Sequence, residues 1–183
     1  MILVAVVLFG LLLPIAFLAV AADSLMRGHD LPTSKRATKA LAAAIKRHKP
    51  DAKIFYDLGC GHGTLALRLK KLIPCLEIHG VDNSAIRIFL ANLQSHILGR
   101  NAHFEKRDIF STQMENADVV YTYLWYDTMP PLKKKLSVEL KPGAIVITNT
   151  SHFHQWQPVE KIITCAKPSK TPNFETLFVY KKS

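Results

Sequence analysis

The chain has 183 residues, and its 24 Lys plus Arg against 14 Asp plus Glu leave it at +10. That length holds one domain with a core of ordinary size and is too short for a two-domain enzyme. The charge suits acidic partners such as lipid headgroups, nucleic acid or acidic protein faces without choosing among them, while Cys60, Cys75 and Cys165 show neither a CxxC pair nor ligand spacing, against a disulfide framework or zinc site and for a reducing compartment.

Residues 1–22 carry no charged side chain and are dominated by Leu, Val, Ile, Ala and Phe. As a helix they would reach about 33 Å, enough for the hydrocarbon core of a bilayer, so they read as one transmembrane anchor. The competing reading is a cleaved signal peptide, because Ala19-Val20-Ala21 resembles a cleavage site. No Lys or Arg precedes the apolar run, however, as a signal peptide requires. Arg27, Lys35, Arg36 and Lys39 all follow it, and that bias keeps the remainder on the cytoplasmic or matrix side of a single-pass protein.

Residues 23–33, with Asp23, Gly28, Asp30 and Pro32, have little periodicity and read as a juxtamembrane linker to a domain at 34–183. Ser34 is placed to cap a helix that buries Ala37, Leu41, Ala44 and Ile45 and closes at Pro50. A β-branched and aromatic run from 53 to 57 predicts a strand that stops at a glycine cluster. Beyond it the pattern predicts helix 64–72, strand 77–81, helix 84–98, strands 102–106 and 117–124, helix 131–140 and strand 144–149. Such alternation predicts an α/β fold, a parallel sheet covered on both faces. Within the helix after Asp82, Ile86, Phe89, Leu90, Leu93 and Ile97 form a one-sided apolar stripe whose expected role is core packing. Runs 161–166 and 175–181 have no helix between them and predict an antiparallel hairpin at a sheet edge.

The segment Asp57-Leu58-Gly59-Cys60-Gly61-His62-Gly63-Thr64 leaves a strand and enters a helix, where glycines admit a ligand to the backbone. A dinucleotide site wants glycine at the sixth place of its motif, which here is Thr64, and no Gly-Lys-Ser/Thr phosphate loop occurs. Asp57 would repel a pyrophosphate and suits a cationic amino group. Asp82, at the second strand's tip with Asn83 beside it, is placed to accept both hydroxyls of a ribose. Asp108, after the third strand, can accept from an adenine amino group with Ile109 lining the ring, or can simply be a turn residue.

The glycine motif, the two later acids and the terminal hairpin together resemble the class I S-adenosylmethionine-dependent methyltransferases. Leu31-Pro32-Thr33-Ser34-Lys35, Tyr123-Leu124-Trp125, Met129-Pro130-Pro131-Leu132, Glu139-Leu140-Lys141-Pro142-Gly143 and Asn149-Thr150 extend the likeness. Those segments are similar to the small membrane-anchored protein-lysine methyltransferases of the ATP synthase c-subunit and adenine nucleotide translocase type. The resemblance implies a Rossmann-like seven-stranded sheet, S-adenosylmethionine as donor held by Asp57, Gly59, Cys60, Gly61, Asp82, Asn83, Asp108 and Ile109, and a protein lysine as acceptor. His62, and 151–156 in place of a segment richer in Pro and Gly, depart from the pattern.

Methyl transfer needs alignment and exclusion of water more than acid–base groups, and an apolar aromatic pocket favours the neutral amine that a lysine acceptor must present. By position Tyr123 and Trp125 line the methyl site, Asp127 orients the amine, Thr33 contacts substrate and Phe153 or Trp156 closes over it, with core or rim packing as the alternative for each. Tyr121 and Tyr126 add aromatic surface to the same strand tip, and the two prolines at 130 and 131 start a helix. His152 and His154 lack a third ligand at metal spacing and read as rim residues. A lipid-soluble small molecule or RNA is the alternative acceptor, although no basic stripe interleaved with aromatics marks an RNA surface. A non-catalytic membrane adaptor would need damage in the glycine loop or at Asp82, and neither is damaged.

Overall fold

Ser34 begins the domain's first helix as its side chain predicts. Its hydroxyl accepts from the Ala37 amide at 3.1 Å, and α1 runs Lys35–His48 with Ala37, Leu41, Ala44 and Ile45 buried. The structure is a computed structural model that describes residues 14, 18, 20–23, 25, 32–164 and 175–183. The chain divides into two units, Met1–Leu31 and Pro32–Ser183. In the first, every described residue is helical. Most of the apolar stretch 1–22, most of the linker 23–33 and residues 165–174 of the expected hairpin lie outside the described residues. Among the described residues no helix is long and apolar enough to cross a membrane.

In the second unit α1 is followed by β1 (Ile54–Leu58), α2 (Thr64–Leu72), β2 (Glu77–Asp82), α3 (Ala85–Ile97), β3 (His103–Lys106) and β4 (Val119–Thr122). A 3-10 turn at Tyr126–Thr128 leads to α4 (Met129–Glu139), then β5 (Ile145–Asn149), β6 (Glu160–Ile163) and β7 (Thr176–Lys181). The seven strands lie in the order β3-β2-β1-β4-β5-β7-β6. Strands β1 to β5 pair in parallel, whereas β7 runs antiparallel to both β5 and β6. This is the mixed sheet with a C-terminal antiparallel hairpin that the sequence predicted.

The two faces of the sheet are dressed unequally. Helices α1, α2 and α3 cover one face, burying Leu41, Ile45, Leu67, Leu69 and Ile88 against Phe55, Ile78, Val119 and Ile147. On the other, α4 brings Met129, Leu132 and Leu136 to Val120 and Val146. The connection from β3 to β4 and the one from β5 to β6 are helix-free, so the expectation of helices over both faces holds fully for one face only. Tyr56, His79 and His103, adjacent in register on β1, β2 and β3, stack at 4.9 and 5.5 Å on the half-dressed face.

The stripe on α3 is the larger departure. Ile88, Ala91 and Ser95 face the sheet, while Phe89 and Ile97 are 66% and 70% exposed and Leu93 is exposed beside them. The reason is a close approach. A Cβ on Gly80 would lie 2.5 Å from Phe104 Cδ1, and one on Gly63 would lie 2.6 Å from Phe104 Cζ and 3.0 Å from Ala91 Cβ. Phe104 already fills the space between helix and sheet, and only small side chains fit the inward side of α3 there. The stripe is real, but it points outward.

Asp118 fastens the N-terminal ends of the central strands. Its carboxylate accepts from the amides of Lys53 and Ile54 at 2.8 and 2.9 Å and pairs with Lys141 Nζ at 2.7 Å. Burial pushes its carboxyl up, but the Lys141 contact and the two amides outweigh burial and hold it below the usual range. A depressed folded-state pKa means the stabilisation is complete above the unfolded value of 3.8 and is lost as pH falls through the folded value. Asp118→Ala, which strands two amides, should therefore cost about 1–3 kcal/mol at neutral pH. Urea melts should show its deficit shrinking once the pH drops below about 4; a deficit independent of pH would refute this account.

Candidate active site

The glycine loop sits at the carboxyl ends of the parallel strands, the edge at which open α/β sheets take ligands. Gly59, Gly61 and Gly63 all have positive φ, at 78, 53 and 72°. The amides of Gly59 and Cys60 both donate to Val81 O, at 2.9 and 3.0 Å, and pin the loop to the tip of β2. Any side chain at 59 would meet Leu124 Cδ2 at 2.8 Å, so the backbone is bare by necessity.

Asp82 is buried and bridges two segments. Oδ2 accepts from Gly61 N at 3.0 Å and Oδ1 from Ser84 N at 2.9 Å. Each oxygen keeps a second acceptor position, which is the capacity a pair of ribose hydroxyls requires. Asn83 beside it is exposed. Asp108 is exposed, and its Oδ1 accepts from Phe110 N at 3.1 Å in a tight turn, leaving the other oxygen for a ligand amino group. Ile109 is half-buried against the α4 side of the core.

Asp57 is buried and lies in register with Tyr121 of β4. Tyr121 was expected to offer aromatic surface; it is instead 1% exposed and locked in a polar network. Thr33 Oγ1 lies 2.8 Å from its phenol oxygen, and Asn149 Nδ2 donates to that oxygen at 3.2 Å. Burial pushes the Tyr121 phenol far up despite both hydrogen bonds, so it stays protonated. Thr33, expected at the substrate, is buried with its hydroxyl engaged, and its carbonyl accepts from Arg68 at 2.9 Å. Ser34 N donates to Glu175 Oε1 at 2.8 Å, tying the same entry segment to the start of β7. Asn149, Arg68 and Glu175 had no assigned role in the sequence, where only the Asn149-Thr150 pair stood out.

The remaining candidates divide. Tyr123 is half-buried against the core, whereas Trp125 and Tyr126 are 66% and 56% exposed and Asp127 is exposed beside them. Tyr126 Oη donates to Thr150 O at 3.1 Å, and Ser151 Oγ donates to Leu124 O at 2.7 Å, joining the β4 and β5 tips. Thr150, at φ 63°, takes a left-handed conformation costly for a β-branched residue. Phe153 is 2% exposed and stacks on Trp156 at 5.3 Å and against Tyr180 at 5.1 Å. That packing puts Phe153 in the core beneath the loop, with Trp156 as its cover.

A sheet of five parallel strands closed by an antiparallel hairpin, a bare glycine loop, a carboxylate at each of the first two strand tips and a third after β3 define a class I S-adenosylmethionine-dependent methyltransferase. The ANTKMT methyltransferase domain model matches residues 57–160, and the chain belongs to that family. It is 31% identical over 134 residues to a protein-lysine N-methyltransferase of Saccharolobus islandicus, covering 72% of this chain and 82% of that one. It is also 28% identical to a carboxy-S-adenosyl-L-methionine synthase of Nitratiruptor sp., covering 69% of this chain and 52% of the relative. In fold it is similar to an RNA methyltransferase from Salinibacter ruber solved with S-adenosyl-L-homocysteine, at TM-score 0.70 and 20% identity over 82% of this chain and 93% of that one.

S-adenosylmethionine is the methyl donor of this enzyme, and the residues present fit it: bare backbone at Gly59 and Gly61, acceptor capacity at Asp82, and a buried carboxyl group at Asp57 on the first strand's tip, where its amino group could be received. Two variants separate binding from folding. Asp82→Ala should weaken S-adenosyl-L-homocysteine binding by roughly 1–3 kcal/mol in calorimetry. Tyr121→Phe should lower stability by roughly 1 kcal/mol, because it removes the phenol that joins Thr33 to Asn149. Unchanged affinity in the first, or unchanged melting in the second, would contradict these assignments.

Proposed function

We propose that the chain transfers the methyl group of S-adenosylmethionine to Nζ of a lysine in a protein at or in a membrane. The observation that carries this reading is the aromatic pair Trp125 and Tyr126, open at the carboxyl end of β4. It stands in a chain 31% identical to a protein-lysine N-methyltransferase. When bound, the donor supplies an electrophilic methyl carbon on a sulfonium. The chain's own work is to align a neutral amine with that carbon, so that the nitrogen lone pair forms the C–N bond as the C–S bond breaks. Tyr123 and Trp125 would enclose the lysine stem and disfavour its charged form, and Asp127 would orient the amine before its proton leaves to water.

Support for the membrane comes from residues 1–22, which lack charge, and from the basic residues that follow them. In this reading the first 22 residues anchor the enzyme and the domain works on the cytoplasmic or matrix side.

Membranes incubated with full-length enzyme and radiolabelled donor should release label as methylated lysine after hydrolysis; label extracted with lipid or RNA would replace the acceptor. Trp125→Ala should lower kcat roughly tenfold or more while donor affinity stays within about twofold. Equal turnover by that variant on the labelled acceptor would remove Trp125 from the methyl site. A C-terminal reporter should resist protease from outside and yield to it once the membrane is opened.

A further inference from the structure

The outward stripe on α3 has no role in the reaction. Phe89 and Ile97 are 66% and 70% exposed, Leu93 is exposed beside them, and Ile86 and Leu90 are half-buried. These residues recur at helical spacing on the side opposite Ile88, Ala91 and Ser95. A helix that is apolar on both sides, with one side in water, marks an interaction surface.

Charge says what covers it. The three helices on this face of the sheet contain five, three and one Lys or Arg, and no Asp or Glu. Lys35, Lys39, Lys46 and Lys71 are exposed among them. The sheet's other helix, α4, carries Glu139 alongside its three lysines. Protein interfaces deplete lysine, whereas an apolar stripe of Phe and Leu on a face whose helices carry Lys and Arg without acids suits the headgroup region of an anionic bilayer.

We infer that the outer face of α3, with the cations of α1 and α2 on the same side of the sheet, docks the catalytic domain onto an anionic lipid bilayer. Phe89, Leu93 and Ile97 enter the headgroup boundary and the lysines meet lipid phosphates. The inference rests on the proposal that the enzyme works at a membrane. If residues 1–22 hold the chain there, the short segment 23–33 keeps the domain at high effective concentration at that surface, and even a weak stripe engages. The contact would orient the carboxyl edge of the sheet, which holds Trp125 and the glycine loop, relative to the membrane plane, and so decide which lysines of a membrane protein it can reach.

The test uses the full chain reconstituted into vesicles of phosphatidylcholine with phosphatidylglycerol, or of phosphatidylcholine alone. An environment-sensitive fluorescent amino acid is placed at Ile97, or at Val138 on α4 as the control for the other face. Nitroxides on the lipid acyl chains should quench the probe at 97 severalfold more than the probe at 138, and more strongly when phosphatidylglycerol is present. Phe89→Ser with Leu93→Ser should abolish the difference while leaving S-adenosyl-L-homocysteine affinity unchanged, which shows that the fold survives. Equal quenching at 97 and 138 in vesicles that carry the enzyme overturns the inference. A blue shift at 97 that needs added acceptor protein, or rises with enzyme concentration, overturns it in favour of a protein partner or a second copy. Carbonate-resistant flotation of the double serine variant reads the anchor separately, so the stripe can fail while the anchor stands. A chain that never floats removes both.

Discussion

The site depends on one carboxylate reaching across two connections. Asp82, from the end of β2, takes an amide from the β1–α2 loop and another from the start of α3. Together with the bonds from Gly59 and Cys60 to Val81 O, it holds three positive-φ glycines in one arrangement, against the large conformational freedom that glycine loses on ordering. Each oxygen of the same group keeps the second acceptor position that a ribose hydroxyl would need. The loop is thus held in place by bonds within the chain itself.

A second constraint is steric. Phe104 reaches over Gly80 and Gly63 and fills the place where α3 would otherwise bring large side chains. This fixes which side of α3 meets the sheet and therefore which side meets the surroundings. The cofactor loop, the edge strand β3 and the outer stripe are consequences of one packing choice, because Gly63 belongs to the loop, Phe104 to β3 and Ala91 to the helix.

Much of this was legible in the sequence. Among the described residues from 34 onward, each predicted helix and strand is present with its ends shifted by a few residues at most, because capping residues, glycines and the alternation of apolar runs are local signals. What a periodic pattern does not encode is direction. The residues 86, 89, 90, 93 and 97 define a stripe, but the opposite side, built of Ile88, Ala91 and Ser95, is too small-featured to register as the buried one. The Tyr121 network was illegible for a different reason: Thr33 and Tyr121 stand 88 positions apart, and nothing local distinguishes a phenol that lines a cleft from one sealed beneath it. The placement of Asp57, Asp82 and the glycines at neighbouring strand ends was legible because topology alone puts strand tips together.

The short outer strands bear on how such a molecule avoids its own kind. β3 and β6, the two margins of the sheet, are four residues long each, and both end or begin in charge: Glu105 and Lys106 on one, Glu160 and Lys161 on the other. Unpaired amides and carbonyls along a sheet margin are a template for another chain, and brevity with alternating charge is how natural sheets discourage the addition. A half-covered sheet in a protein this small would otherwise invite stacking into fibres, and its margins resist growth by a further strand on either side.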